Sequence, residues 1–176
     1  ITEQNLSKYK NKKIAIDTSI FLYKFMYSGK FLESFVNQVY HFSRFDIIPI
    51  YVFDGAPPKE KQDVLDNRKE HKAKIQQRVE ELEAQIQKLS LDEDQLRKDL
   101  EFQIKQTQKK CINITREDVD NLKKTFDIMG VKYIQADCEA DLVCCKLFKT
   151  GKVDACLSND MDFLPSGCGV LLRNYN

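Results

Sequence analysis

No apolar run in this 176-residue chain approaches the roughly 20 residues that a membrane-spanning helix needs. The opening stretch "ITEQNLSKYKNKK" is polar throughout, so it does not read as a secretory signal. An excess of one charge is lacking too: 28 lysines and arginines stand against 27 acids, so net charge says nothing about a polyanionic partner and the placement of charges must carry that argument. Histidine is scarce, with only His41 and His71, and the six cysteines (111, 138, 144, 145, 156, 168) form no CxxC pair. Zinc-type ligand spacing is therefore missing, and cysteines set in apolar runs are expected as buried reduced thiols rather than disulfides. The expectation is a soluble, intracellular protein with no membrane partner, in which the sequons at Asn5 and Asn113 carry no glycan.

What is present suits one globular domain of ordinary size: 42% of residues are hydrophobic and 31% charged. Short apolar runs, "IAI" (14–16), "IIPIYVF" (47–53), "VKYI" (131–134), "VDACL" (153–157) and "GVLL" (169–172), alternate with helical periodicity over 31–45, 116–129 and 139–149. That alternation predicts an α/β fold with a mostly parallel central sheet flanked by helices. Thr115 followed by Asp118 resembles a helix N-cap signature, and Gly130 and Gly151 stand where helices should stop. Residues 59 to about 110 break the rhythm. Leu82, Ile86, Leu89, Leu96, Leu100 and Ile104 recur there at helical spacing, and Ser90 to Glu93 reads as a capping box, so two helices joined by a tight turn are expected to project from the sheet.

Four of these five runs lead into acids. "IAID" closes with Asp17 and "YVFD" with Asp54; "YIQADCEAD" supplies Glu139 and Asp141, and "ACLSNDMD" supplies Asp160 and Asp162. The carboxyl ends of parallel strands share one edge, where ligands bind. With acids at this frequency, four given strand ends would all be acidic by chance on the order of once in two thousand trials, before discounting the preference of aspartate for loops. Such a cluster repels itself unless cations intervene, and hard divalent ions suit oxygen ligands. Asp160 and Asp162, two residues apart, are expected to point the same way if the strand continues through them. Glu139 and Asp141 are expected at the start of a helix, one before its first turn and one within it; plain helix capping remains an alternative for that pair.

Four stretches in order, "KKIAIDTSIFLYKF", "IPIYVFDGAPPKEK", "MGVKYIQADCEADLVCCKL" and "GKVDACLSNDMDFLPSG", resemble the flap endonuclease family of XPG-type structure-specific 5′ nucleases, which have a PIN-like core. The resemblance implies a divalent-metal-dependent 5′ flap endonuclease or 5′–3′ exonuclease that hydrolyses phosphodiesters of branched DNA with two Mg²⁺ or Mn²⁺ ions. Asp17, Asp54, Glu139, Asp141, Asp160 and Asp162 match its metal-site acids, and Lys61 and Arg68 match the basic pair at the foot of a helical arch inserted at about 59–110. Tyr23 matches an aromatic on which a nucleotide stacks, and Arg116 is a candidate phosphate contact. The arch is expected to gate passage of a 5′ single strand.

The same resemblance implies a monomer acting in replication or repair, in the nucleus or at a site of viral replication. It also implies a single truncated nuclease core over 1–176, lacking the family's extreme N-terminus and its duplex-gripping C-terminal part, with any sliding-clamp contact outside this chain. Asp137, Asp141 and Pro165 depart from the usual flap-enzyme pattern, Asp141 toward the exonuclease branch. Two alternatives stay open: a catalytically silent scaffold that binds nucleic acid or protein, and phosphotransfer through Asp17, against which Ser19 stands where a second aspartate would be expected.

Overall fold

The computed structural model describes residues 5–55, 62–88, 94–109 and 114–175. The backbone alternates strands with helices: β1 (Lys13–Asp17), α1 (Thr18–Tyr27), α2 (Phe31–Ser43), β2 (Ile48–Phe53), α3 (Gln62–Gln87), α4 (Asp94–Lys109), α5 (Arg116–Met129), β3 (Lys132–Gln135), α6 (Ala140–Lys149), β4 (Ala155–Leu157) and β5 (Leu171–Leu172). Among the described residues no helix is long and apolar enough to cross a membrane. The chain divides into two compact units, one of residues 1–57 with 114–176 and one of residues 58–113.

In the first unit the five strands pair in the order β3-β2-β1-β4-β5, with every pairing parallel. All carboxyl ends therefore lie along one edge, and the strand order reverses beside β1. Side chains alternate across the sheet. Ile14, Ile16, Tyr51, Phe53, Ala155 and Leu157 join Phe21, Leu22, Phe35, Phe42, Leu122 and Phe126 of α1, α2 and α5 in one core layer. Ala15, Val52 and Cys156 face the other way and pack with Ala140, Cys144 and Cys145 of α6. The first layer is aromatic: Tyr51 stacks on Phe126 with centroids 4.4 Å apart, and Phe35 meets Phe126 edge-on at 5.8 Å. The second consists mostly of smaller residues, alanine, cysteine and valine, with Phe163 buried among them.

Local signals place the helix boundaries. Thr115 and Asp118 form a reciprocal capping box, with the Asp118 amide donating to Thr115 Oγ1 at 3.1 Å and the Thr115 amide donating to Asp118 at 2.8 Å. Gly130 ends α5 in the left-handed region at φ 68°, where a Cβ is costly. Cys144, Cys145, Cys156 and Cys168 are buried free thiols, as expected, while Cys138 is exposed and Cys111 lies outside the described residues.

The second unit holds α3 and α4. Val79, Leu82, Leu100 and Ile104 are buried together with Ile86 against them, a single aliphatic seam at helical spacing. Leu96, expected in that seam, is exposed, and so is Phe102. Leu89 and the Ser90–Glu93 capping box fall outside the described residues.

Candidate functional site: an acidic sheet edge

Asp17 is the last residue of β1, and Asp54 and Ser158 each follow their strand by one position. Each stands two residues beyond a member of the small-residue layer, Ala15, Val52 and Cys156 respectively, so strand alternation carries all three toward the α6 face. Asp17 also caps α1: its Oδ1 accepts from the Ser19 amide at 3.1 Å, and its Oδ2 accepts from the Ser158 hydroxyl at 3.1 Å. Asp54 is held from two sides. Its Oδ1 accepts from the Ala140 amide at 2.8 Å, capping α6 from a different strand, and its Oδ2 accepts from the Ser19 hydroxyl. Glu139 is the N-cap residue of α6 but makes no side-chain cap bond, so Asp54 does that work while Asp141 sits in the first turn.

The approach of β2 to the start of α6 is close. Gly55 donates to Cys138 O at 2.7 Å, Ala136 donates to Phe53 O at 2.9 Å, and Gln135 Nε2 donates to Asp54 O at 2.6 Å. A Cβ on Gly55 would fall 2.4 Å from Ala136 O, so only glycine fits that backbone contact.

One expectation needs correction. The strand does not run through Asp160 and Asp162; β4 ends at Leu157, and residues 161–163 form a 3₁₀ turn. Asp160 caps that turn, its Oδ1 accepting from the amide of Asp162 within it at 2.9 Å, so the two carboxylates are cap and member of one turn rather than alternate positions of a strand. The physical reason is the competing bond: an aspartate side chain that captures the amide two residues on ends extended structure.

The electrostatics record which acids meet. Asp17 is only 8% exposed, and its pKa is raised to about 6, chiefly by burial and further by the charges of Asp54 and Asp141, against the opposing bonds from Ser158 and Ser19. Asp141 is raised by burial and by Glu139, Asp160 and Asp54. The charge of Asp54 thus reaches both Asp17 and Asp141 across the sheet edge, and those of Glu139 and Asp160 reach Asp141. Among the described residues no lysine or arginine forms an ion pair with Asp17, Asp54, Asp141 or Asp160.

Tyr23 lies on α1 and is 56% exposed, and Arg116 opens α5 with its side chain in solvent, 4.0 Å from Asp120. Arg68 lies in α3 of the other unit, and Lys61 falls outside the described residues. Sequence reasoning missed Ser19, Ser158, Gln135 and Gly55. The available signals were spacing: Ser19 two after Asp17, Ser158 two before Asp160, and Gly55 directly after Asp54.

Among the described residues no three of these side chains close on one point tightly enough to make a ready metal cage; internal amide and hydroxyl donors hold the carboxylates instead. The donor chemistry nevertheless fits a hard divalent cation: the facing side chains are carboxylates, and one is buried enough to resist ionisation unless compensated.

A parallel sheet whose order reverses at an acidic carboxyl edge defines an α/β protein with its ligand site at that reversal. Comparison with known proteins makes this specific. Residues 1–75 match the XPG N-terminal domain and residues 130–176 the XPG I-region. Flap endonuclease 1 of Salmo salar is 35% identical over 189 residues, covering 99% of this chain and 46% of that protein. Among solved structures, flap endonuclease-1 from Methanococcus jannaschii matches with a TM-score of 0.64 at 27% identity, covering 98% of this chain and 56% of that one. The catalytic core of Rad2 in complex with DNA substrate shares the fold, with a TM-score of 0.68 at 21% identity over 98% of this chain and 45% of that one. The chain belongs to the XPG-type 5′ nuclease family, and it spans about half the length of the curated relatives it matches.

Proposed function

We propose that this chain carries the catalytic centre of a structure-specific 5′ nuclease, which hydrolyses phosphodiesters of branched DNA at 5′ flaps, gaps or 5′ ends with two divalent ions, Mg²⁺ or Mn²⁺. The observation that supports this most is the meeting of Asp17, Asp54, Glu139, Asp141 and Asp160 at the sheet reversal, in a chain whose relatives are flap endonucleases. In this reading those acids hold the ions, with Asp162 at the margin. Bound there, the ions would supply charge neutralisation for the reacting phosphate and a lowered proton affinity for the attacking water.

The remaining roles fall to the chain's own groups. Ser19, Ser158 and the Ala140 amide orient carboxylates so that their free lone pairs face outward. Tyr23 offers an exposed ring for stacking a base near the cut, a contact that tolerates any sequence and suits an enzyme that reads structure. Arg116 offers a solvent-facing charge to a flanking phosphate. Residues 59 to about 110 correspond in this reading to the family's arch, which gates the 5′ strand, with Lys61 and Arg68, seven residues apart in sequence, as its basic pair for the scissile phosphate. The protein works as a monomer on nuclear or viral DNA.

Labelled flap, gapped and blunt duplexes incubated with the intact protein, with Mg²⁺ or with EDTA, test this directly. Cleavage of the flap in Mg²⁺ alone is expected. An uncut flap at micromolar protein and millimolar Mg²⁺ would reject the nuclease reading.

A further inference from the structure

The geometry points to Ser158 as a positioning residue that joins the β1 carboxylate to the Asp160 loop, so that the two acids meet a divalent cation as one unit; this rests on the nuclease reading above. Ser158 is 1% exposed, one position past β4, with its amide fixed to Leu172 O at 3.1 Å. Its hydroxyl proton goes to Asp17 Oδ2 at 3.1 Å, and its oxygen accepts from the Asp160 amide, also at 3.1 Å. A hydroxyl carries one proton and two lone pairs, so it satisfies both bonds at once.

The bond to Asp160 alone would be an ordinary turn, in which a serine oxygen takes the amide two residues on. What exceeds that role is the second bond, to an acid 141 residues earlier in the chain. Burial shields the bond to Asp17 from water, and the bond from the Asp160 amide is partly buried. Removing the hydroxyl would leave the Asp160 amide without its acceptor and take from Asp17 one of its two donors, so the two acids would lose their only shared contact among the described residues.

Calorimetric titration of the intact protein with Mn²⁺ reads this without relying on turnover. Ser158→Ala is expected to bind Mn²⁺ about 10-fold more weakly, the scale typical of outer-sphere partners of metal ligands. The Mg²⁺ midpoint for flap cleavage should rise in parallel. Ser158→Thr and Ser158→Val, nearly equal in size and differing in the hydroxyl, control for packing: threonine should retain affinity that valine loses. Equal Mn²⁺ affinity in wild type, the alanine variant and the valine variant would overturn the role of the serine while leaving the nuclease reading intact. A wild-type protein that neither binds Mn²⁺ nor cuts a flap would overturn both.

Discussion

The two compact units are held together in different ways. The α/β unit has two core layers on a five-stranded sheet, one aromatic and one of small residues, and its strand register positions charged groups to within a residue. The helix pair has one aliphatic seam of four buried residues, while Leu96 and Phe102 stay in solvent. A sheet can fix the geometry of side chains brought from distant parts of the sequence; a two-helix seam fixes little beyond its own pairing. Chemistry is therefore expected in the first unit and control in the second.

The sharpest way to break that division is by activity. Asp160→Asn should lower flap cleavage by roughly 100-fold or more, beyond the 10–100-fold typical of outer-sphere changes, with DNA binding nearly unchanged. Arg68→Ala, in α3, should cost about 10-fold in turnover, on the low side of what one lost charged contact to a reacting phosphate removes. Single-turnover rates and filter binding measure both, and a larger loss for Arg68→Ala would invert the division.

Stability offers the next contrast. Phe126→Ala empties a site packed against Tyr51 and Phe35 and should cost about 3–5 kcal/mol of global stability. Leu82→Ala should instead remove hydrogen-exchange protection across α4 while leaving β1 protected. Loss of protection in β1 as well would show the two units to be one cooperative structure.

A smaller effect concerns the acidic edge. Between the ordinary aspartate value of 3.8 and about 6, folded Asp17 binds protons that the unfolded chain has released, so the metal-free protein should lose stability as pH rises through that window. The loss, roughly 2–3 kcal/mol at pH 7, should vanish in Asp17→Asn, whose amide keeps an acceptor for Ser19. Urea melts in EDTA at pH 4 and pH 7 measure it; a wild-type protein more stable at pH 7 than at pH 4 by this amount would contradict it. The smallest effect is local: Thr115→Ala removes the α5 cap and should lower the urea-derived stability by about 1 kcal/mol.

Much of this organisation was legible in the chain. Short apolar runs between helical stretches located the strands and put Asp17 and Asp54 on one sheet edge, and Thr115, Asp118 and Gly130 bounded α5. The hidden part is what crosses the sequence. Nothing near Ser158 shows that its hydroxyl reaches Asp17, and nothing near Asp54 shows that it caps a helix beginning at Ala140. Asp160 was misplaced onto a strand because an aspartate that folds back on its own backbone and one that continues a strand have the same composition. Val79 escaped notice as one valine within a charged helix.

The contacts around Gly55 have a further consequence. The chain leaves β2 through Gly55, and the Gly55, Ala136 and Gln135 hydrogen bonds fasten that exit to the segment running from β3 into α6, while α5, through Leu122 and Phe126, anchors the return to the sheet. Closing a longer loop costs only about 0.6 kcal/mol for each doubling of its length. With the exit held at Gly55 and the return held by α5, the unit of residues 58–113 can lengthen or shorten at small entropic cost without dislodging the carboxylates of the sheet.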